Sequence, residues 1–274
     1  MDTINAIQKL NKIFKSNRWT EKDVDDFVFD NFCYLIDNLD EKQRALIIEL
    51  VERYRWISVT DYPEKILSTM EKVETEKLKT IKTIYLFPII KLEDEGNFKS
   101  GQFLIYQIKC FKKHLHKYKS IEFKYVSKFD ILKDESFDLK PNEVIFLIDD
   151  YVGSGETLNA CLTEIQSNPN ITNDKINIIT IASQFEISEE IKKVGISYYA
   201  DHISKKGITD FVDSELGKEK IEIMLQIEKM IPGGNFFSLG YNQSEALITM
   251  ARTPDNTFPI FWKTYKKGQT KFEA

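Results

Sequence analysis

The chain has 274 residues, 42% of them hydrophobic, 12% aromatic and 30% charged, with a formal net charge of −5. This is the composition of an ordinary globular protein, which excludes a disordered or fibrous chain, and so small a negative charge disfavours direct nucleic-acid binding. No apolar run approaches the roughly 18 uncharged residues of a membrane helix, and the opening MDTINAIQKLNKIF lacks an export pattern, so the cytoplasm is the expected location.

The length suggests one enlarged domain or a core with an appended part. The first third reads as helical. Ile4, Ile7, Leu10 and Phe14 share one face of a 3.6-residue period, and Thr20 is placed to cap a second helix that turns Val24, Phe27, Val28 and Leu35 inward. Asp40 caps a third, carrying Leu46, Ile47, Leu50 and Tyr54 and running to Trp56, and Pro63 suits the first turn of a fourth. Residues 20–41 hold eight acids, Asp23, Asp25, Asp26 and Asp30 among them, against the single base Lys22. Residues 109–119 carry five lysines with His114 and His116 and no acid. Both stretches read first as solvated helix faces.

The period changes at residue 83. TIYLFPII is a strand-length apolar run, KSGQFLIYQIKCFKK returns to helical spacing, and the alternation continues through VIFLI (144–148), a helix from Ser154, NIITIA (177–182), a short helix near 187–194 and ISYYA (196–200). Runs apolar at every position fit strands covered on both faces, so the expected fold is α/β, a parallel sheet flanked by helices with an N-terminal helical region. The division expected from the change of pattern is 1–78 and 79–274. A further helix is expected after Ser214 as N-cap, stopped by Pro232, Gly233 and Gly234, and then a tail with ALITMA (246–251) and PIFW (259–262). Cys33, Cys110 and Cys161 are far apart and form no CxxC pair, which fits reduced packing residues.

The chemistry concentrates in VIFLIDDYVGSGETL (144–158). In open α/β sheets ligands bind beyond the carboxyl ends of strands, where this segment passes from apolar residues to two acids and a Gly/Ser turn. Gly153 and Gly155 allow tight turning, so the N–H groups from Gly153 through Ser154, Gly155 and Glu156 to Thr157 can converge on one anion at a helix N-terminus. Asp149 and Asp150 would repel a bare phosphate, but a sugar phosphate accompanied by magnesium offers them hydroxyls and a cation.

Asp149, Asp150, Ser154, Gly155 and Thr157 fill the pattern D-D-x-x-x-[S/T]-G-x-T, and the segment resembles the loop of type I phosphoribosyltransferases that binds phosphoribosyl pyrophosphate (PRPP). The resemblance implies that Asp149 and Asp150 meet the ribose hydroxyls and help order Mg2+ held through PRPP, with no direct protein metal site, and that the turn holds the 5-phosphate. It also implies a pyrophosphate loop after the first core strand, for which Lys99, Ser100 and Gly101 are the candidates, and a mobile loop within 127–143, where Lys128, Lys133 and Glu135 are undistinguished. Gly240, Tyr241, Thr253, Pro254, Asn256, Thr257, Pro259 and Trp262 resemble the tail of the phosphoribosyltransferase-like (PRTase-CE) effectors of bacterial conflict and retron anti-phage systems. A strand pair closing the sheet edge would explain the tail as well.

The implied function is that of a glycosyltransferase of the pentosyl class, a phosphoribosyltransferase-like enzyme that transfers or cleaves a ribose 5-phosphate moiety with Mg2+, in nucleotide metabolism or antiviral defence. The alternative is a non-catalytic module that senses PRPP or a nucleotide and acts through a protein partner. A partner, or a homo-oligomer, would engage the N-terminal helices.

Overall fold

The computed structural model describes residues 1–19, 25–231 and 234–262. The chain begins with three helices, α1 (Thr3–Ser16), α2 (Asp25–Asp37) and α3 (Glu41–Arg53), and a two-residue strand β1 (Arg55–Trp56). The expected cap of α3 is present: Asp40 accepts from the Gln43 amide at 2.9 Å while the Gln43 side chain accepts from the Asp40 amide at 3.0 Å. Such a cap stabilises a helix by about 1 kcal/mol. The buried stripe of α1 is Ala6, Leu10, Ile13 and Phe14, whereas Ile4 is 71% exposed. Ile4 falls off the stripe because the face centred on Leu10 runs back through Ala6, one turn earlier. Thr20 and Val24, and the side chain of Phe27, lie outside the described residues, while Val28 and Leu35 are buried as expected. Helix α3 stops at Arg53, short of Trp56, where the backbone turns extended to form β1.

Next come α4 (Tyr62–Lys72), with Pro63 in its first turn, α5 (Thr75–Leu78), β2 (Thr83–Pro88), α6 (Ser100–Phe111), β3 (Glu122–Tyr125), α7 (Phe129–Lys133), β4 (Glu143–Val152), α8 (Glu156–Ile165), β5 (Ile176–Gln184), α9 (Phe185–Lys193) and β6 (Ser197–Ser204). Five of these strands form one parallel sheet in the order β3-β2-β4-β5-β6. Every position of β5 is buried, the mark of a strand covered on both faces. Ile145 and Leu147 of β4 and Ile176 and Ile178 of β5 share a core with Phe129 of α7, Leu158 and Leu162 of α8 and Ile187 of α9. The alternate face is left to α4 and α6, which pack on each other and on the strands; Thr69 of α4 donates to the Thr180 carbonyl at 2.9 Å.

Two features of this sheet position the site. The chain leaves β2 for β3 on one side and then crosses to β4, β5 and β6 on the other, so the order reverses between β2 and β4. Pairing of β2 with β4 ends at Pro88 opposite Ile148, whereas β4 continues beside β5 to Val152 opposite Ser183. The acids therefore stand at the strand end, as the sequence order places them, and β4 runs four residues past VIFLI, to Val152.

Helix α10 (Ser214–Glu228) and the short strand β7 (Ile248–Thr249) complete the elements. Asp213, not Ser214, caps α10, accepting from the Glu215 and Leu216 amides at 3.1 and 3.0 Å. The helix ends at Glu228, ahead of Pro232 and Gly233, which lie outside the described residues. The tail does not close the edge of the five-stranded sheet: β7 pairs in parallel with β1 in a separate two-stranded sheet.

The chain forms two compact units, Ser58–Ser204 in one and Met1–Ile57 with Lys205–Ala274 in the other. These limits differ from a division at residue 78. Helix α4 belongs with the sheet, through Thr69 and Thr180, and the tail belongs with the first helices, where Phe261 lies 5.0 Å from the Tyr54 ring and 6.0 Å from that of Phe32, centroid to centroid.

Candidate functional site

The carboxyl end of β4 carries the acid pair. Asp149 sits opposite Thr180 of β5, and Asp150 follows it on the strand. Each carboxyl group meets a hydroxyl. Ser100 Oγ donates to Asp149 Oδ1 at 2.6 Å, and Tyr62 Oη donates to Asp150 Oδ2 at 2.6 Å. The Asp150 amide also donates to Asp149 Oδ1, at 2.9 Å. Burial holds the Asp149 carboxyl well above the usual carboxylate range and the neighbouring Asp150 charge adds to this, against the pull of the Ser100 and amide donors.

The turn after β4 comprises Gly153, Ser154 and Gly155 and leads directly into α8, so its amides and those of Glu156 and Thr157 lie at a helix N-terminus. Gly155 has φ +80°, a left-handed conformation, and a Cβ placed there would lie 2.3 Å from Ile187 Cδ1. Gly155 is thus required twice, by its backbone and by the closeness of α9. Ser154 and Thr157 are partly exposed and Glu156 is exposed. Glu156 forms an ion pair with Lys91, from the loop after β2. Leu158, Cys161, Leu162 and Ile165 bury the inner face of α8, and burial pushes the Cys161 thiol up to about 12, which makes it a packing group rather than a nucleophile.

The loop after β2 ends at Lys99, the N-cap position of α6. Gly101 allows α6 to approach the sheet closely: a Cβ on it would lie 2.5 Å from the Ile148 carbonyl oxygen and 2.8 Å from Pro88 Cβ. The start of α6 is therefore wedged at the reversal point between β2 and β4, where ligands of open α/β sheets bind. Of the three residues nominated here, Gly101 and Ser100 reach the acid pair's strand, whereas Lys99 Nζ pairs with Asp94 of its own loop at 2.8 Å. In the 127–143 connection, Lys133 lies on α7 and pairs with Glu164 of α8 at 2.5 Å. Sequence reasoning missed Tyr62 and Lys91. By sequence pattern Tyr62 falls within the N-terminal helical region, and only the packing of α4 on the sheet reveals its contact with Asp150.

A cation here has the two neighbouring carboxyl groups of Asp149 and Asp150 to meet, and among the described residues no group of three or more His, Cys, Asp or Glu side chains converges. A magnesium ion placed here would take most of its oxygens from a ligand or water, with Asp149 and Asp150 at its margin.

The five-stranded parallel sheet flanked by helices, with this acid pair and turn at its reversal point, defines a phosphoribosyltransferase-like α/β protein. The chain belongs to the PRTase-CE family, whose family model matches residues 36–272. A solved structure of a hypothetical protein from Neisseria gonorrhoeae with bound ppGpp is similar at 16% identity and a TM-score of 0.35, covering 62% of this chain and 97% of that one. No curated protein matches. Among the described residues no helix is long and apolar enough to cross a membrane.

The tail residues that resemble the family serve structural ends. Tyr241 N donates to the Asp255 carbonyl at 2.8 Å, Thr257 Oγ1 to the Ile248 carbonyl at 2.6 Å and Trp262 Nε1 to the Thr257 carbonyl at 2.8 Å.

Proposed function

We propose that the protein binds PRPP as its magnesium complex at the β2–β4 reversal point and transfers or cleaves the ribose 5-phosphate moiety. The observation that carries this reading is the meeting of two loops: Ser100, after β2, donates to Asp149, on β4, and Asp149 in turn leads into the Gly153–Thr157 turn. In this reading the amides of residues 153–157 and the hydroxyls of Ser154 and Thr157 receive the 5-phosphate, and Asp149 and Asp150 accept from the ribose hydroxyls. The amides at the start of α6 face the pyrophosphate, and Lys99 and Lys91 supply positive charge once an anion competes with Asp94 and Glu156. Magnesium supplies charge neutralisation on the departing pyrophosphate. The C1–O bond to pyrophosphate breaks as a nitrogen nucleophile or water attacks C1, a step that asks for positioning and charge stabilisation rather than a protein nucleophile. The setting we infer, from the PRTase-CE resemblance, is antiviral defence in the cytoplasm.

One observation favours a second reading, a PRPP or nucleotide sensor without turnover acting through a protein partner or a second copy. Both acids already accept from hydroxyls of the chain itself, which fits groups that shape a binding site rather than groups that take up a proton from a nucleophile. The docking surface would be the N-terminal helices, where Asp30, Asp37 and Glu41 are exposed; Glu21 and Asp23 lie outside the described residues.

Thermal melting with PRPP, nucleotides and NAD, each with and without magnesium, tests the binding claim, and mass spectrometry of the products separates the two readings. PRPP with magnesium is expected to raise the melting temperature by several degrees, and Asp149→Asn with Asp150→Asn to remove that rise while the fold persists. No stabilisation of the wild type by PRPP would overturn the proposal. Stabilisation without released pyrophosphate would select the sensor.

A further inference from the structure

We infer that Tyr62 is a positioning residue for Asp150, and that through Asp150 it governs recognition of one hydroxyl of the ligand's ribose. The inference rests on the PRPP reading of the site and adds to it a residue from outside its sequence motif.

The tyrosine is placed with little freedom. It is the first residue of α4, directly after a turn in which Asp61 Oδ2 accepts from the Ser58 amide at 2.9 Å and from Ser58 Oγ at 3.0 Å. Its ring is buried, 1% exposed, with the Phe103 ring of α6 at 6.4 Å. A buried phenol needs an acceptor, and a backbone carbonyl suffices elsewhere: Tyr118 Oη donates to the Met70 carbonyl at 2.7 Å. Tyr62 instead spans 88 positions of sequence to a strand-end acid of the ligand motif.

The chemistry of the contact gives it a role. A carboxylate offers two oxygens and about four acceptor sites. The Tyr62 hydroxyl occupies a site on Oδ2 and so fixes the rotation of the carboxyl group, leaving acceptor capacity for a ligand hydroxyl in a set direction. Asp149 receives the matching restraint from Ser100 of α6. A carboxylate held in one rotamer before the ligand arrives costs less ordering on binding, and the gain applies only to the hydroxyl that it accepts. Tyr62 should therefore discriminate between a ribose and a sugar lacking that hydroxyl, without touching the sugar.

The test uses the full chain and three probes in magnesium buffer, ribose 5-phosphate and its 2-deoxy and 3-deoxy counterparts, with dissociation constants from calorimetry. Tyr62→Phe keeps the ring and removes the hydroxyl. It is expected to weaken ribose 5-phosphate by roughly five-fold or more, to leave one deoxy counterpart unchanged, and to add no loss in an Asp150→Asn background. Equal weakening of all three probes would assign Tyr62 a purely structural role and overturn the inference. So would no change, or tighter binding, which would make the hydroxyl a competitor of the ligand. If the wild type binds none of the three, the PRPP reading fails and this one falls with it; wild-type binding that Tyr62→Phe leaves unaltered sinks this inference alone.

Discussion

Ser100 and Asp149, 49 positions apart in the chain, are joined by a hydrogen bond of 2.6 Å that ties the start of α6 to the end of β4. Ser100→Ala removes the donor and leaves a part-buried carboxyl group short of a partner. The expected cost is about 1–2 kcal/mol, read as a lower urea midpoint with an unchanged denaturant slope. A wild-type midpoint in the variant would show that water replaces the hydroxyl without loss.

Asp149 makes stability depend on pH. Its folded value lies above the unfolded one, so between the two the folded state binds more protons, and stability declines as pH rises from about 4 through the raised value. Asp149→Asn removes the titration. The variant should be more stable than the wild type near neutral pH, with the advantage shrinking to nothing toward pH 4. Urea midpoints at several pH values check this, and an advantage that grows on acidification would refute the assigned direction.

Gly155→Ala meets two obstacles, φ of +80° and the Ile187 side chain. Strain of about 1 kcal/mol comes from the backbone and a further 1–2 kcal/mol from crowding. Adding Ile187→Val should recover part of the crowding and none of the strain. The measurement is the melting temperature of the single and double variants; full recovery in the double variant would mean that the left-handed backbone costs nothing.

Gly101→Ala should cost more, about 2–4 kcal/mol, because the new Cβ meets the Ile148 carbonyl oxygen, which is backbone, rather than the end of a flexible side chain. Under the proposed function it should also abolish stabilisation by PRPP at temperatures where the variant is still folded, since α6 must shift away from the reversal point. A folded variant with wild-type PRPP stabilisation would separate Gly101 from the site.

The central strands were legible because parallel pairing buries both faces: β2, β4 and β5 read as unbroken apolar runs. Strand β3 was not, since as an edge strand it shows Glu122, Lys124 and Tyr125 to solvent and keeps Phe123 only partly covered. The length of β4 escaped notice for a related reason. Asp149 and Asp150 mark the strand end in the sequence, yet pairing goes on past them, through Tyr151 opposite Ala182 and Val152 opposite Ser183, because β5 also runs on to Gln184. The Gly/Ser turn and its helix were visible from local chemistry alone. Tyr62 and Lys91 were not, because their partners lie 88 and 65 positions away and no periodicity encodes such a contact. Ile4 shows the opposite error, an apolar residue at helical spacing that faces water.

The overhang of β4 beyond β2 has an evolutionary corollary. With the acids fixed by ladder register instead of loop conformation, insertions and deletions in the neighbouring connections can accumulate without displacing them. Ligand preference can thus diversify among descendants while the two carboxyl groups keep their coordinates.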